Sequence, residues 1–339
     1  MDEISFNSWL LLLILSVSCW ILKIQAWKTN QNNSQMKKLL TVISLSICFA
    51  SCKNSAETEI TSKTDQATVL PSGTRIAAVG SWVRQFTDDF NAGSNFGNWN
   101  LPTRKDYNSN YCNYSPSGSS ISSRDSKSVL EIKATKTGVD AYSSSLLKSN
   151  FSFKPAVNTE YRVSASIKLI AQNGTTYNSF TQTYGAWPAF WTVQETQWPI
   201  NGEIDIMEAY SFSPNATRAA SNLFYGTTTG QNLLGNSAER PYPTTFSIDG
   251  NLGWHTYDSY WKNQNGVITV TTKVDNVTIA TYTNSSVSQL NLNNFGPHNI
   301  ILNLNVGSND SNFINPTLIN LQGNTYMWVD YVTVDKRTL

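Results

Sequence analysis

The chain is 339 residues long, with 24 basic against 23 acidic side chains, a formal net charge of +1 and only 14% charged residues. Such a balance gives no electrostatic footprint for a nucleic-acid partner. Two histidines and four cysteines make no zinc or iron constellation, and no Glu/Lys/Ala/Leu-rich stretch marks a long helix, so the composition points to an extracellular all-β protein.

Residues 1–35 hold a mostly apolar stretch from Trp9 to Trp27, but Asp2 and Glu3 precede it where a signal peptide carries positive charge. We read this segment as an over-extended start, with an N-terminal apolar anchor as the alternative. Residues 36–52 form a second leader: Met36-Lys37-Lys38 is basic, Leu39 to Phe49 is apolar, and Ala50-Ser51 are small residues before Cys52. This resembles a bacterial lipoprotein signal. The resemblance implies that Cys52 is lipidated and becomes the mature N-terminus. It places the protein in the cell envelope, anchored to the outer membrane on its periplasmic side or at the cell surface, with simple secretion as the alternative.

Residues 53–80, rich in Ser, Thr, Ala and Lys, read as a flexible tether. Loss of residues 1–52 leaves 20 basic against 21 acidic side chains, a net charge of about −1. Cys112 then has no partner, so the mature protein is expected to lack a disulfide and to depend on core burial.

From residue 81 to 339 the pattern is strand after strand. Trp82 to Phe90 leads in, Val129 to Thr135 alternates, and Tyr161 to Ile170 alternates over ten residues. Val267 to Val274 and Val277 to Tyr282 flank Asp275-Asn276, a two-residue turn suited to a tight hairpin. His298 to Val306 and Tyr326 to Val334 add two more. Many short strands without helical periodicity predict a single domain of two packed antiparallel sheets, a β-sandwich or jelly roll.

Within that series, Trp198-Pro-Ile-Asn-Gly-Glu-Ile-Asp-Ile-Met-Glu-Ala-Tyr210 sets three carboxylates, Glu203, Asp205 and Glu208, inside an apolar run. Alternation puts Glu203 and Asp205 on one face with Ile204 and Ile206 on the other. Glu208 joins the first face only if an extra residue at Ile206-Met207 forms a β-bulge. A carboxyl pair about 5 Å apart suits glycoside hydrolysis with retention, one group attacking the anomeric carbon while the other protonates the leaving oxygen. Trp187, Trp191 and Trp198 flank the acidic strand and supply rings of the kind that stack on sugars.

Together, Trp187-Pro-Ala-Phe-Trp191 and Gly202-Glu-Ile-Asp-Ile-Met-Glu208 resemble glycoside hydrolase family 16, in the bulged form of laminarinases and agarases. Thr87-Asp-Asp-Phe90 with Trp99, Gly253-Trp-His-Thr-Tyr257 with Tyr260-Trp261, and Trp328-Val-Asp-Tyr-Val332 resemble further blocks of the family in the same order, so the likeness spans the whole domain. It implies a concanavalin A-like jelly roll and a retaining endo-β-glycanase. By the same resemblance Glu203 is the nucleophile, Glu208 the general acid/base and Asp205 the residue that orients the nucleophile. Trp187, Trp191, Trp198, His255 and Trp261 are the substrate-binding candidates.

The substrate implied is an extracellular polysaccharide, first a laminarin-type β-1,3-glucan. Galactan hydrolysis, transglycosylation and non-catalytic carbohydrate binding are the alternatives. No cofactor is required and the protein is expected to be a monomer. A structural calcium is the one ion the family offers, with Asp330 as the matching carboxylate. The sequence departs from many laminarinases at Asn222-Leu-Phe-Tyr-Gly226, where Phe224 replaces a histidine.

Overall fold

Strands with one apolar face need a second layer to cover it, and the computed structural model, which describes residues 80–212 and 217–339, contains two sheets. The readings of residues 1–35, of the leader at 36–52 with Cys52, and of the tether up to Val79 lie outside the described residues. The larger sheet runs from Val277–Tyr282 through Val267–Val274, Trp254–Gln264, Thr159–Asn173, Asn324–Thr338, Lys127–Gly138, Ala141–Ser144 and Cys112–Tyr114 to Arg104–Lys105. Val83–Asp88, Thr176–Ser179 and Ser119–Arg124 pair along its margins. The smaller sheet has seven strands, in the order Arg240–Pro241, Thr217–Phe224, Glu203–Ser211, Ala186–Val193, His298–Val306, Leu146–Phe153 and Trp99–Asn100.

The architecture is the expected antiparallel sandwich; among the described residues only Cys112–Tyr114 on Ala141–Ser144 pairs in parallel. Helical structure among them is confined to 3-10 turns of three residues, such as Phe180–Gln182. The hairpin at Asp275-Asn276 forms as predicted, with both residues at positive φ (47° and 65°), the backbone that a two-residue primed turn requires.

Alternation decides what lies between the sheets. In Asn324–Thr338, Met327 and Val329 enter the central core, while Tyr326 and Trp328 pack with Val129 in a separate cluster. In Glu203–Ser211, Ile204, Ile206, Met207 and Ala209 join the central core. Cys112 is a free thiol buried in that same core, and burial pushes its pKa up to about 12. It contributes as a small apolar group rather than as a nucleophile.

Candidate active site

The acidic strand Glu203–Ser211 is buried along its whole length between Ala186–Val193 and Thr217–Phe224. Its register shows where alternation breaks. Asp205 stands opposite Trp191 on one side and Asn222 on the other, whereas Glu208 stands opposite Ala189 and Ala220. Three steps along the acidic strand match two on each neighbour, which places the bulge at Ile206-Met207. Both bulge residues go to the core, and Glu208 returns to the face of Glu203 and Asp205.

Side chains on neighbouring elements hold the bulged backbone. Ser221 donates its hydroxyl to the Asp205 carbonyl at 2.7 Å, and Tyr242 donates to the Ile206 carbonyl at 2.8 Å. Immediately before Glu203, Gly202 sits at φ +77°, and a β-carbon there would lie 2.3 Å from the Phe295 ring. Only glycine satisfies both the left-handed backbone and that close approach.

Glu203, Asp205 and Glu208 open into a cleft of about 1020 Å³, whose walls include Trp187, Trp191, Trp198, Tyr210, Asn222, Phe224, Asn303 and Asn305. The tryptophans do more than present rings. Trp198 Nε1 donates to Glu203 Oε2 at 2.7 Å, and Trp187 Nε1 donates to Glu208 Oε1 at 2.9 Å. Tyr210 donates its hydroxyl to Glu208 Oε2 at 2.7 Å. Trp191 Nε1 is engaged by Asn303 Oδ1 at 2.7 Å. Phe224, where a histidine was the family expectation, lies with its ring tilted 5.8 Å from Trp198 and gives an apolar backing to the indole that serves Glu203.

Burial dominates the electrostatics. It pushes Glu203 up to about 8, aided by the Glu208 charge, and Glu208 up to about 6. Asp205 is raised strongly, by burial first and then by the Glu208 and Glu203 charges. The side-chain contact with Asp205 opposes the upward push on Glu203 and so favours its anion. The indole of Trp198 acts in the same sense on Glu203. Titration steps in such a cluster belong to the group rather than to one carboxyl.

Two sequence expectations are corrected. His255 does not reach the cleft: it lies on the inner face of Trp254–Gln264, its Nδ1 2.6 Å from Asp275 Oδ2 and its ring 4.8 Å from Phe246. Trp261, six positions on and on that same face, is 1% exposed and packs against Phe153, Phe295 and His298. Both residues serve the core, because strand alternation turned their face inward.

Asp330 forms an ion pair with Lys127. Calcium takes six to eight oxygen ligands, roughly. Among the described residues no group of three or more His, Cys, Asp or Glu side chains is placed to hold a metal.

The sequence reading assigned no role to Tyr210, though its two-residue spacing from Glu208 was the available signal. It also gave none to Asn303, Asn305, Tyr107 or Phe313, which reach the cleft from distant strands and loops.

A β-sandwich with a bulged acidic strand on the floor of an aromatic-walled cleft defines the class: the protein is a glycoside hydrolase. The family model described as "XgeA-like, catalytic GH16 domain" matches residues 175–232, the segment that contains both the tryptophan strand and the acidic strand. A Bacteroides ovatus GH16 structure from a mixed-linkage glucan locus, in complex with a G4G4G3G product, is similar at 25% identity and a TM-score of 0.55. That match covers 74% of this chain and 99% of the other. The endo-1,3-beta-glucanase of Streptomyces sioyaensis is similar in fold at 22% identity and a TM-score of 0.61, over 78% of this chain and 100% of its own. The laminarinase catalytic domain of Thermotoga maritima gives 20% identity and a TM-score of 0.56, over 75% and 98%. No curated protein matches the chain. Over residues 175–232 the chain matches the GH16 catalytic-domain model, and its fold is that of these glycoside hydrolases.

Proposed function

We propose that this protein is an endo-acting, retaining β-glycanase that cleaves a neutral β-glucan, first of all a β-1,3-glucan of the laminarin type. The observation that carries the reading is the bulge at Ile206-Met207, which brings Glu203 and Glu208 to one face on either side of Asp205. In this reading Glu203 attacks the anomeric carbon while Glu208 gives its proton to the departing glycosidic oxygen. Glu208 then takes a proton from the water that releases the sugar from Glu203. Asp205 and Trp198 hold the Glu203 oxygen in line.

Charge selects among polysaccharides. Among the described residues, seven carboxyl side chains line the cleft against one guanidinium, Arg218, and that guanidinium pairs with Glu239 at 2.7 Å. A sulfated galactan would meet repulsion there, whereas a neutral glucan meets hydrogen-bond acceptors and aromatic rings. The similar structures point the same way: a GH16 protein of a mixed-linkage glucan locus, an endo-1,3-beta-glucanase and a laminarinase. The lipoprotein-like leader supports an enzyme tethered through Cys52 to the outer membrane, which would keep a polymer-degrading domain beside the cell that takes up its products.

The test is a panel of laminarin, lichenan, agarose, carrageenan and xyloglucan assayed for new reducing ends, with proton NMR of the first-formed anomer. Release from laminarin or lichenan with the β-anomer first supports the reading. Activity confined to agarose or carrageenan overturns the glucan assignment, and an α-anomer appearing first overturns retention. Sugars joined to new acceptors in place of free reducing ends identify a transglycosylase. Glu208→Ala rescued by azide on a dinitrophenyl β-glycoside locates the acid/base.

A further inference from the structure

Tyr210 follows Glu208 by two positions in the same strand, so both side chains enter the cleft on one face. The two Glu208 oxygens are served by unlike donors. Trp187 Nε1 reaches Oε1 at 2.9 Å, and an indole N–H can only donate. Tyr210 reaches Oε2 at 2.7 Å with a hydroxyl, which can rotate away. The phenol ring itself has little freedom. Trp187 lies 5.4 Å from it, Phe313 5.4 Å and Phe212 5.6 Å, and the Arg218 guanidinium is stacked over it at 5.5 Å.

We propose that Tyr210 is a positioning residue for the acid/base: its hydroxyl bonds the Glu208 carboxylate and lets go when Oε2 takes a proton, so that it favours the step in which Glu208 acts as a base. This rests on the reading of Glu208 as the acid/base. In the first step the Oε2 proton passes to the glycosidic oxygen as that bond to the anomeric carbon breaks and the bond from Glu203 forms. The carboxylate left behind is the form that Tyr210 holds. In the second step Glu208 removes a proton from water as the water oxygen bonds to the anomeric carbon and Glu203 departs.

Other charged groups face Glu208 as well. Glu203 and Asp205 come from its own strand, Arg218 from Thr217–Phe224, and Glu239 from the segment before Arg240–Pro241. Arg218 and Glu239 oppose each other as an ion pair. Burial is the largest influence on Glu208, and the Tyr210 hydroxyl is the next, acting to keep the carboxyl ionised. Tyr210 is itself pushed far above the ordinary phenol range, by burial first and by the Glu208 charge second, so it stays a donor across the working range.

The experiment is Tyr210→Phe, which keeps the ring and removes the hydroxyl. Loss of one donor to the anion is expected to move the basic limb of kcat/KM on polysaccharide up by about one pH unit. On a dinitrophenyl β-glycoside, whose leaving group needs no proton, the burst of phenolate should persist while steady turnover near pH 6 falls about tenfold and recovers at higher pH. Phe313→Leu, which loosens the cage and leaves the hydroxyl, should leave the limb in place. A loss in Tyr210→Phe that is uniform across pH, or a limb that shifts equally in Phe313→Leu, reduces Tyr210 to packing and overturns the proposal. Failure of azide to rescue Glu208→Ala would instead remove the acid/base reading on which the proposal stands.

Discussion

Tyr242 donates its hydroxyl to the carbonyl of Ile206 at 2.8 Å, from a position 36 residues further along the chain. A bulge disrupts the ladder and leaves backbone groups in need of partners, and this carbonyl sits at the one point where Glu208 is turned toward Glu203. The phenol therefore links stability to catalysis at a site it does not line. Tyr242→Phe leaves a buried acceptor without its donor, a cost of about 1–3 kcal/mol. Activity should fall as well, by up to about 100-fold if the carboxyl pair loses its alignment. Thermal unfolding and turnover of the purified variant check both, and an unchanged unfolding temperature would show that the bulge holds without Tyr242.

Gly202→Ala tests the turn that delivers Glu203. The substitution faces two obstacles: the left-handed backbone costs about 1 kcal/mol for alanine, and the new methyl would sit 2.3 Å from the Phe295 ring. The variant should be destabilised by several times the backbone term alone and should lose most of its turnover. Adding Phe295→Ala removes the collision but not the backbone cost, so the double variant should recover part of the turnover lost by Gly202→Ala. Its stability then carries the penalty of a fresh cavity, and turnover is the quantity to compare. No recovery in the double variant would mean that backbone conformation, not the ring, excludes a side chain at position 202.

The acidic strand could be read from the chain because a period of two leaves a five-residue separation on the wrong face, and chemistry demanding a shared face leaves a bulge as the solution. The strand series was legible for the same reason. Alternation states which residues share a face but not which face turns inward, and that is why His255 and Trp261 were assigned to substrate although they pack in the core. Trp187 and Trp198 were found through their aromatic chemistry, yet their indole bonds to Glu208 and Glu203 depend on strand register that no local pattern encodes. Asn303 and Tyr242 come from distant segments, so their partners at Trp191 and Ile206 became visible only in the fold. Tyr210 was within reach of the sequence, two positions from Glu208, but a tyrosine in a strand has many ordinary uses in a core.

In the unfolded chain Glu203 and Glu208 titrate at the ordinary value of 4.5 and Asp205 at 3.8, whereas in the folded protein burial pushes Glu203 up to about 8 and Glu208 to about 6, and raises Asp205 strongly. Between about 4.5 and about 8 the folded state thus holds protons that the unfolded state has released. Stability falls with rising pH wherever the folded state binds more protons, so the contribution of this cluster is fully present below the unfolded values and is lost as pH climbs through the folded ones. The unfolding temperature should decline from pH 5 to pH 9, by an amount on the order of a few kcal/mol in stability. Asp106 and Asp258, also raised by burial, add to the slope in the same direction, so the cluster must be isolated by substitution. Glu203→Gln, with no charge to bury, should flatten the curve and melt above the parent at pH 9 while losing turnover by several orders of magnitude. A parent curve that rises from pH 5 to pH 9, or a Glu203→Gln curve parallel to the parent, would show that the cleft carries its carboxylates fully ionised.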